Sequence, residues 1–185
     1  SKEYVEQIWQ GEPFEGFMFK HFSDEYYFPE ECKDLDLIRK NIGNIQDKYK
    51  RAMAFTIMRR AMVRKMPYSR FTIRWDKIKE LRNEELSYAK YGRRRHYHNQ
   101  SFQFHFEDNL KEYNDAVFSN AKPNKAYNLD VYEAIEKIDA DIIYLDPPYA
   151  GTMNDYFGFY GLLDAFIEGK QIEPFGNNFM YKNNI

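Results

Sequence analysis

The 185-residue sequence has a single cysteine, Cys32. One thiol cannot build a disulfide framework, so a reducing compartment, the cytoplasm, is expected. Histidine is scarce too, with four residues. His96 and His98 lie close together but no second pair accompanies them, so zinc-ligand spacing is missing and no metal site is expected. No run of about 18 apolar residues occurs, which leaves no segment able to cross a membrane as a helix. The opening Ser1-Lys2-Glu3-Tyr4 lacks the apolar core of a signal peptide.

What is present is aromatic and unevenly charged. Phe, Tyr and Trp make up 18% of the chain, against 43% hydrophobic and 30% charged residues overall. Such a chain can bury a core, and its length suits one domain or one domain carrying an insertion. The net charge of −2 hides an asymmetry. Between Lys48 and Arg95 stand sixteen basic and four acidic residues, a net of +12, while the rest carries eleven basic and twenty-five acidic, a net of −14. A basic middle flanked by acidic segments is the footprint of a polyanion binder. Arg70 and Arg74, near Tyr68 and Trp75, and the triplet Arg93-Arg94-Arg95 are the candidate DNA contacts, because arginine serves both phosphates and base edges.

Periodicity predicts a short helix over 2–10, an irregular aromatic stretch over 11–29, and helices over 29–46 and 47–65. The first of these long helices opens on Pro29 and carries Leu35, Ile38, Ile42 and Ile45; Met66-Pro67 ends the second. Alternation predicts strands over 68–75 and 101–106, the latter with Phe102, Phe104 and Phe106 on one face. A helix over 77–89 and a polar loop over 91–99 separate them. In the last third, a strand end at 127–130, a helix over 131–138 and the apolar strand 141–146 read as a βαβ unit. A helix over 154–168 follows.

Asp146 ends the most apolar of these strands and is followed by Pro147, Pro148 and Tyr149. Ligands of open α/β sheets bind at the carboxyl ends of strands. The prolines lock φ and remove two donors, so the carbonyls of Asp146 and Pro147 face no local competitor. Methylating an exocyclic amine needs acceptors for its N–H bonds, because they favour a pyramidal nitrogen and stabilise the charge that develops. A base turned out of the duplex also needs an aromatic surface. Carboxylate, rigid carbonyl and ring occur here in that order.

Tyr144-Leu145-Asp146-Pro147-Pro148-Tyr149 resembles the catalytic motif of the amino-methyltransferases. With Asn128-Leu129-Asp130, Gly151-Thr152-Met153 and Tyr156-Phe157-Gly158-Phe159-Tyr160, the run is similar to the Dam-like N6-adenine DNA methyltransferases. The resemblance implies part of a Rossmann-like α/β sheet, with the βαβ unit at 126–168, bearing a largely helical, basic target-recognition insertion. It divides the chain into a catalytic segment over 1–47, the insertion over 48–110 and a second catalytic segment over 111–185. It implies S-adenosyl-L-methionine as cofactor and duplex DNA as partner, with a cognate restriction endonuclease as a further partner of such enzymes. Asp146 and the Pro147 carbonyl would hold the amino group, Pro148 would stiffen the turn and Tyr149 would stack on the base. Leu129, Asp130 and Asp146 would approach the cofactor; Asp130 reads equally well as the N-cap of the following helix. The family's Phe-x-Gly-x-Gly cofactor loop has no counterpart among the nine glycines, so the chain is expected to be a middle portion of an enzyme. Action on RNA or on cytosine N4, and a non-catalytic DNA-binding remnant, are the alternatives left open.

Overall fold

Asp47 starts the longest helix. In the computed structural model, which describes residues 2–69, 71, 73–83, 99–146, 156–170, 174–175 and 180–181, its carboxylate accepts from the Tyr49 and Lys50 amides at 2.9 and 3.1 Å. This satisfies donors that a helix start leaves unpaired. Helix α4 then runs over Lys48–Lys65, with Ala54, Ile57, Met58, Ala61, Met62 and Lys65 buried. That is one stripe at helical spacing. Met66 turns extended ahead of Pro67 and the helix stops.

Helix α1 spans Lys2–Ile8, α2 Phe17–Phe22 and α3 Pro29–Gly43; α5 spans Trp75–Asn83, α6 Phe102–Asp115, α7 Val131–Lys137 and α8 Tyr156–Glu168. Helices α3, α6 and α8 pack against α4, while α7 buries no residue. Helix α6 lies along α4, α1 and α2 lie on α3, and α8 touches both α3 and α4. The shared core joins Met18, Phe22, Tyr26, Tyr27, Leu35, Ile38, Ile57, Met58, Met62, Phe106, Leu162 and Phe166. Each such side chain contributes about 1.5–3 kcal/mol by leaving water. Cys32 is in this core, and burial pushes its thiol up to about 12, so the thiolate needed for reactivity does not form near neutral pH.

Helix α2, six residues long, is too short to stand alone. Asp36 of α3 holds its start: the buried carboxylate accepts from the amides of Gly16, Met18 and Phe19 at 2.9, 2.8 and 2.9 Å. A negative charge there also meets the positive end of the helix dipole. Residue 16 has to be glycine, because a Cβ would sit 2.7 Å from the Asp36 carboxyl carbon. Gly16→Ala is expected to break this cap and cost roughly 2 kcal/mol. Thermal unfolding reads the effect, and an unchanged midpoint would refute the cap. At the far end of the chain, Gly169 closes α8 at φ +65°. There Arg39 of α3 donates through Nε to the Phe166 carbonyl at 2.6 Å, tying the two helices together.

The α/β expectation is overturned. Among the described residues the named strands are β1 (Pro174–Phe175) and β2 (Met180–Tyr181), paired antiparallel in a two-stranded sheet. No Rossmann-like sheet and no βαβ unit form over the described parts of 126–168. Residues 141–146 are irregular, with Ile142, Ile143, Tyr144 and Leu145 between 54% and 86% exposed. A strand exists only where a neighbouring backbone satisfies its amides and carbonyls, and no such neighbour lies beside this segment among the described residues.

Two further strand expectations fail for local reasons. Ser101 caps α6 by accepting from the Phe104 amide at 3.0 Å, and Phe102, His105, Phe106 and Asn109 are buried. That spacing belongs to a helix; the alternation of three phenylalanines was a coincidence of period, and Phe104 is exposed. Over 68–75, Tyr68 and Ser69 adopt left-handed φ values of 57° and 55°, which ends any extended run, and α5 already begins at Trp75. Helices α3, α4, α7 and α8 start and end close to where periodicity places them.

Candidate catalytic motif and nucleic-acid interface

Asp130 caps α7. Its side chain accepts from the Tyr132 amide at 2.9 Å, so the capping role weighed for it is real. Asp130 is exposed and Leu129 is half-buried. Asp146 is exposed at the end of the irregular segment, while Pro147, Pro148 and Tyr149 lie outside the described residues. Three cavities formed by described residues have other linings and do not include Leu129, Asp130 or Asp146.

Arg74 is exposed just before α5, and its carbonyl accepts from the Ile78 amide at 3.0 Å. Arg70, Arg93, Arg94 and Arg95 lie outside the described residues. Helix α4 offers arginines that sequence reading did not single out. Arg59 pairs with Asp164 of α8 at 3.6 Å, and Arg64 pairs with Asp108 of α6 at 2.5 Å. Arg60, one turn before Arg64, is exposed. The signal was available as a basic pair at i and i+4.

One ionic cluster is buried. Glu31 of α3 accepts from both terminal nitrogens of Arg82 in α5, at 2.7 and 2.5 Å, and pairs with Lys65 of α4 at 2.8 Å. It also accepts from the Phe28 amide at 3.1 Å, capping its own helix. Lys65 donates to the Gln100 carbonyl at 2.5 Å, and Asn99 donates to the Arg82 carbonyl. The cluster thus ties α3, α4 and α5 to the backbone that leads into α6. Burial pushes the Glu31 carboxyl up, but the Arg82 hydrogen bonds and the Lys65 and Arg82 charges outweigh it and hold it below its ordinary range.

Comparison with known proteins decides the family. The family model described as D12 class N6 adenine-specific DNA methyltransferase matches residues 7–183. The chain belongs to this family. It is 60% identical over 179 residues to the Type II methyltransferase M2.HphI of Haemophilus parahaemolyticus, covering 97% of this chain and 53% of that protein. It is 46% identical over 48 residues to the modification methylase StsI of Streptococcus sanguinis, covering 26% of this chain and 7% of that protein. The chain therefore spans about half the length of the first relative and a small part of the second. No solved structure matches. Membership of the N6-adenine family agrees with the resemblance carried by residues 144–149. Among the described residues no helix is long and apolar enough to cross a membrane.

Proposed function

We propose that the intact protein transfers a methyl group from S-adenosyl-L-methionine to adenine N6 in duplex DNA, with the target base turned out of the helix. The observation that carries this reading is Asp146-Pro147-Pro148-Tyr149 standing inside a family match that runs from residue 7 to residue 183. In this reading Asp146 and the Pro147 carbonyl accept the two N–H bonds of the adenine amino group, and Tyr149 stacks on the base. Residues 48–110 form the DNA-recognising part, flanked by catalytic segments over 1–47 and 111–185. Arg70, Arg74, Arg93, Arg94 and Arg95 contribute phosphate and base-edge contacts there. The words "Type II" in the first relative's name support a cognate restriction endonuclease as a partner.

The test is the identity of the product. The intact enzyme is incubated with methyl-labelled donor and either duplex DNA or RNA, and the nucleosides are separated after digestion. Label is expected in N6-methyladenine from DNA. Label confined to RNA or to N4-methylcytosine would overturn the substrate assignment. Duplex binding with no transfer would leave a binding protein instead of an enzyme.

A further inference from the structure

Arg60, Arg64, Ser69, Phe104, His105 and Asp108 line an open cavity of about 490 Å³ between α4 and α6. Three features of it point to an anionic ligand. Arg60 and Arg64 are four residues apart, so their guanidinium groups share one face of α4. Ser69 is delivered to the rim by a turn in which both Tyr68 and Ser69 are left-handed, a conformation that non-glycine residues seldom adopt and that concentrates at functional sites. Asp108 on the opposite wall already holds Arg64 at 2.5 Å, as an internal stand-in for an external anion. Phe104, 47% exposed at the first turn of α6, adds an apolar wall suited to a sugar face. Arg60, Arg64 and Ser69, one wall and rim of the cavity, belong to the segment Lys48–Arg95 whose net charge is +12, which favours a polyanion over a single small ion.

We propose that this α4–α6 cleft binds one backbone phosphate of duplex DNA, clamped by Arg60 and Arg64 with the Ser69 hydroxyl donating, and with Asp108 holding Arg64 in place until the phosphate displaces it. The proposal rests on the DNA-methyltransferase reading and adds a contact to it. Arg60 and Arg64 carry no sequence information here: they set where the duplex lies.

Salt dependence of duplex binding by the intact enzyme is the test. Each phosphate contact contributes about 0.9 to the slope of log affinity against log salt. Arg60→Gln with Arg64→Gln is expected to lower the slope by about one. On going from 200 to 50 mM salt the variant then gains about 3.5-fold less affinity than the parent. Asp108→Asn, which frees Arg64 and removes a charge facing the phosphate, is expected to bind more tightly at low salt. Both sets of side chains are partly or fully exposed, and unchanged thermal unfolding of the variants separates a lost contact from a damaged fold. A double variant that folds normally and keeps the parent's slope overturns the site. Weaker binding by Asp108→Asn overturns the competitor role of Asp108. Failure of the parent enzyme to bind duplex DNA at all would instead count against the functional reading.

Discussion

Asp146→Ala in the intact enzyme is expected to reduce methyl transfer by a factor on the order of 10²–10³ or more while duplex binding stays within about threefold of the parent. The adenine amino nitrogen is a poor nucleophile because its lone pair is shared with the ring. A carboxylate that accepts one of its N–H bonds acts most strongly as positive charge develops on that nitrogen, so its loss falls on kcat more than on KM. DNA binding should survive, because Asp146 is an exposed anion and contributes nothing to phosphate contacts. Asp146→Asn keeps one acceptor oxygen and is expected to lie between the alanine variant and the parent. Single-turnover methylation alongside duplex affinity measures both. Parental single-turnover rates in the alanine variant would remove Asp146 from the chemistry.

Glu31→Ala is expected to destabilise the fold by about 3–5 kcal/mol. The Lys65 and Arg82 side chains are each only 3% exposed, and Glu31 is the acid that both of them touch. Without it two cations are left in the core, the Phe28 amide loses its acceptor, and α3, α4 and α5 lose their common tie. Domains are stable by only about 5–15 kcal/mol, so the loss should be visible as a fall in melting temperature of roughly 10 °C or more. Glu31→Leu combined with Lys65→Met and Arg82→Met should recover much of it, because the penalty comes from burying unpaired charge and not from the missing contacts as such. A triple variant less stable than Glu31→Ala would show that the ionic geometry itself is needed.

The same cluster sets a pH dependence. The Glu31 carboxyl is held below its ordinary value in the folded chain, so its contribution is present above that value, 4.5, and is lost as pH falls through the folded one. Acid unfolding of the parent is therefore expected to sharpen below about pH 4.5, and Glu31→Ala should flatten that limb. Lys65 acts in the other direction. Burial holds its amine below its ordinary 10.5, so its charge opposes folding at neutral pH and that cost is relieved as pH rises toward 10.5.

Much of the helical frame was legible in the sequence. Asp130 as a cap, Pro29 as a first-turn residue, a helix start near Asp47 and Met66-Pro67 as a stop act within one or two turns of backbone, so neighbouring residues suffice to specify them. Residues 101–106 were misread because three phenylalanines alternate, and only the burial of His105 and Asn109 against the rest of the molecule reveals the helical period. The tail over 174–181 gave no pattern, since two-residue strands are too short to show one. The family was legible in the six residues Tyr144 to Tyr149, which carry the resemblance. Their setting was not, because the exposed run Ile142 to Leu145 has the composition of a buried strand without a strand beside it among the described residues.

By itself, then, the sequence determined the family, the placing of most helices and the concentration of positive charge between Lys48 and Arg95. Tertiary structure alone decided that Glu31, Lys65 and Arg82 meet in the core, that Asp36 caps a helix beginning nineteen residues before it, and that Arg60, Arg64 and Asp108 share one cleft. Local propensity and periodicity act over a few residues and leave their mark in the chain order. Ion pairs and sheets join residues far apart in that order, so they exist only once packing has brought the partners together and removed the water between them.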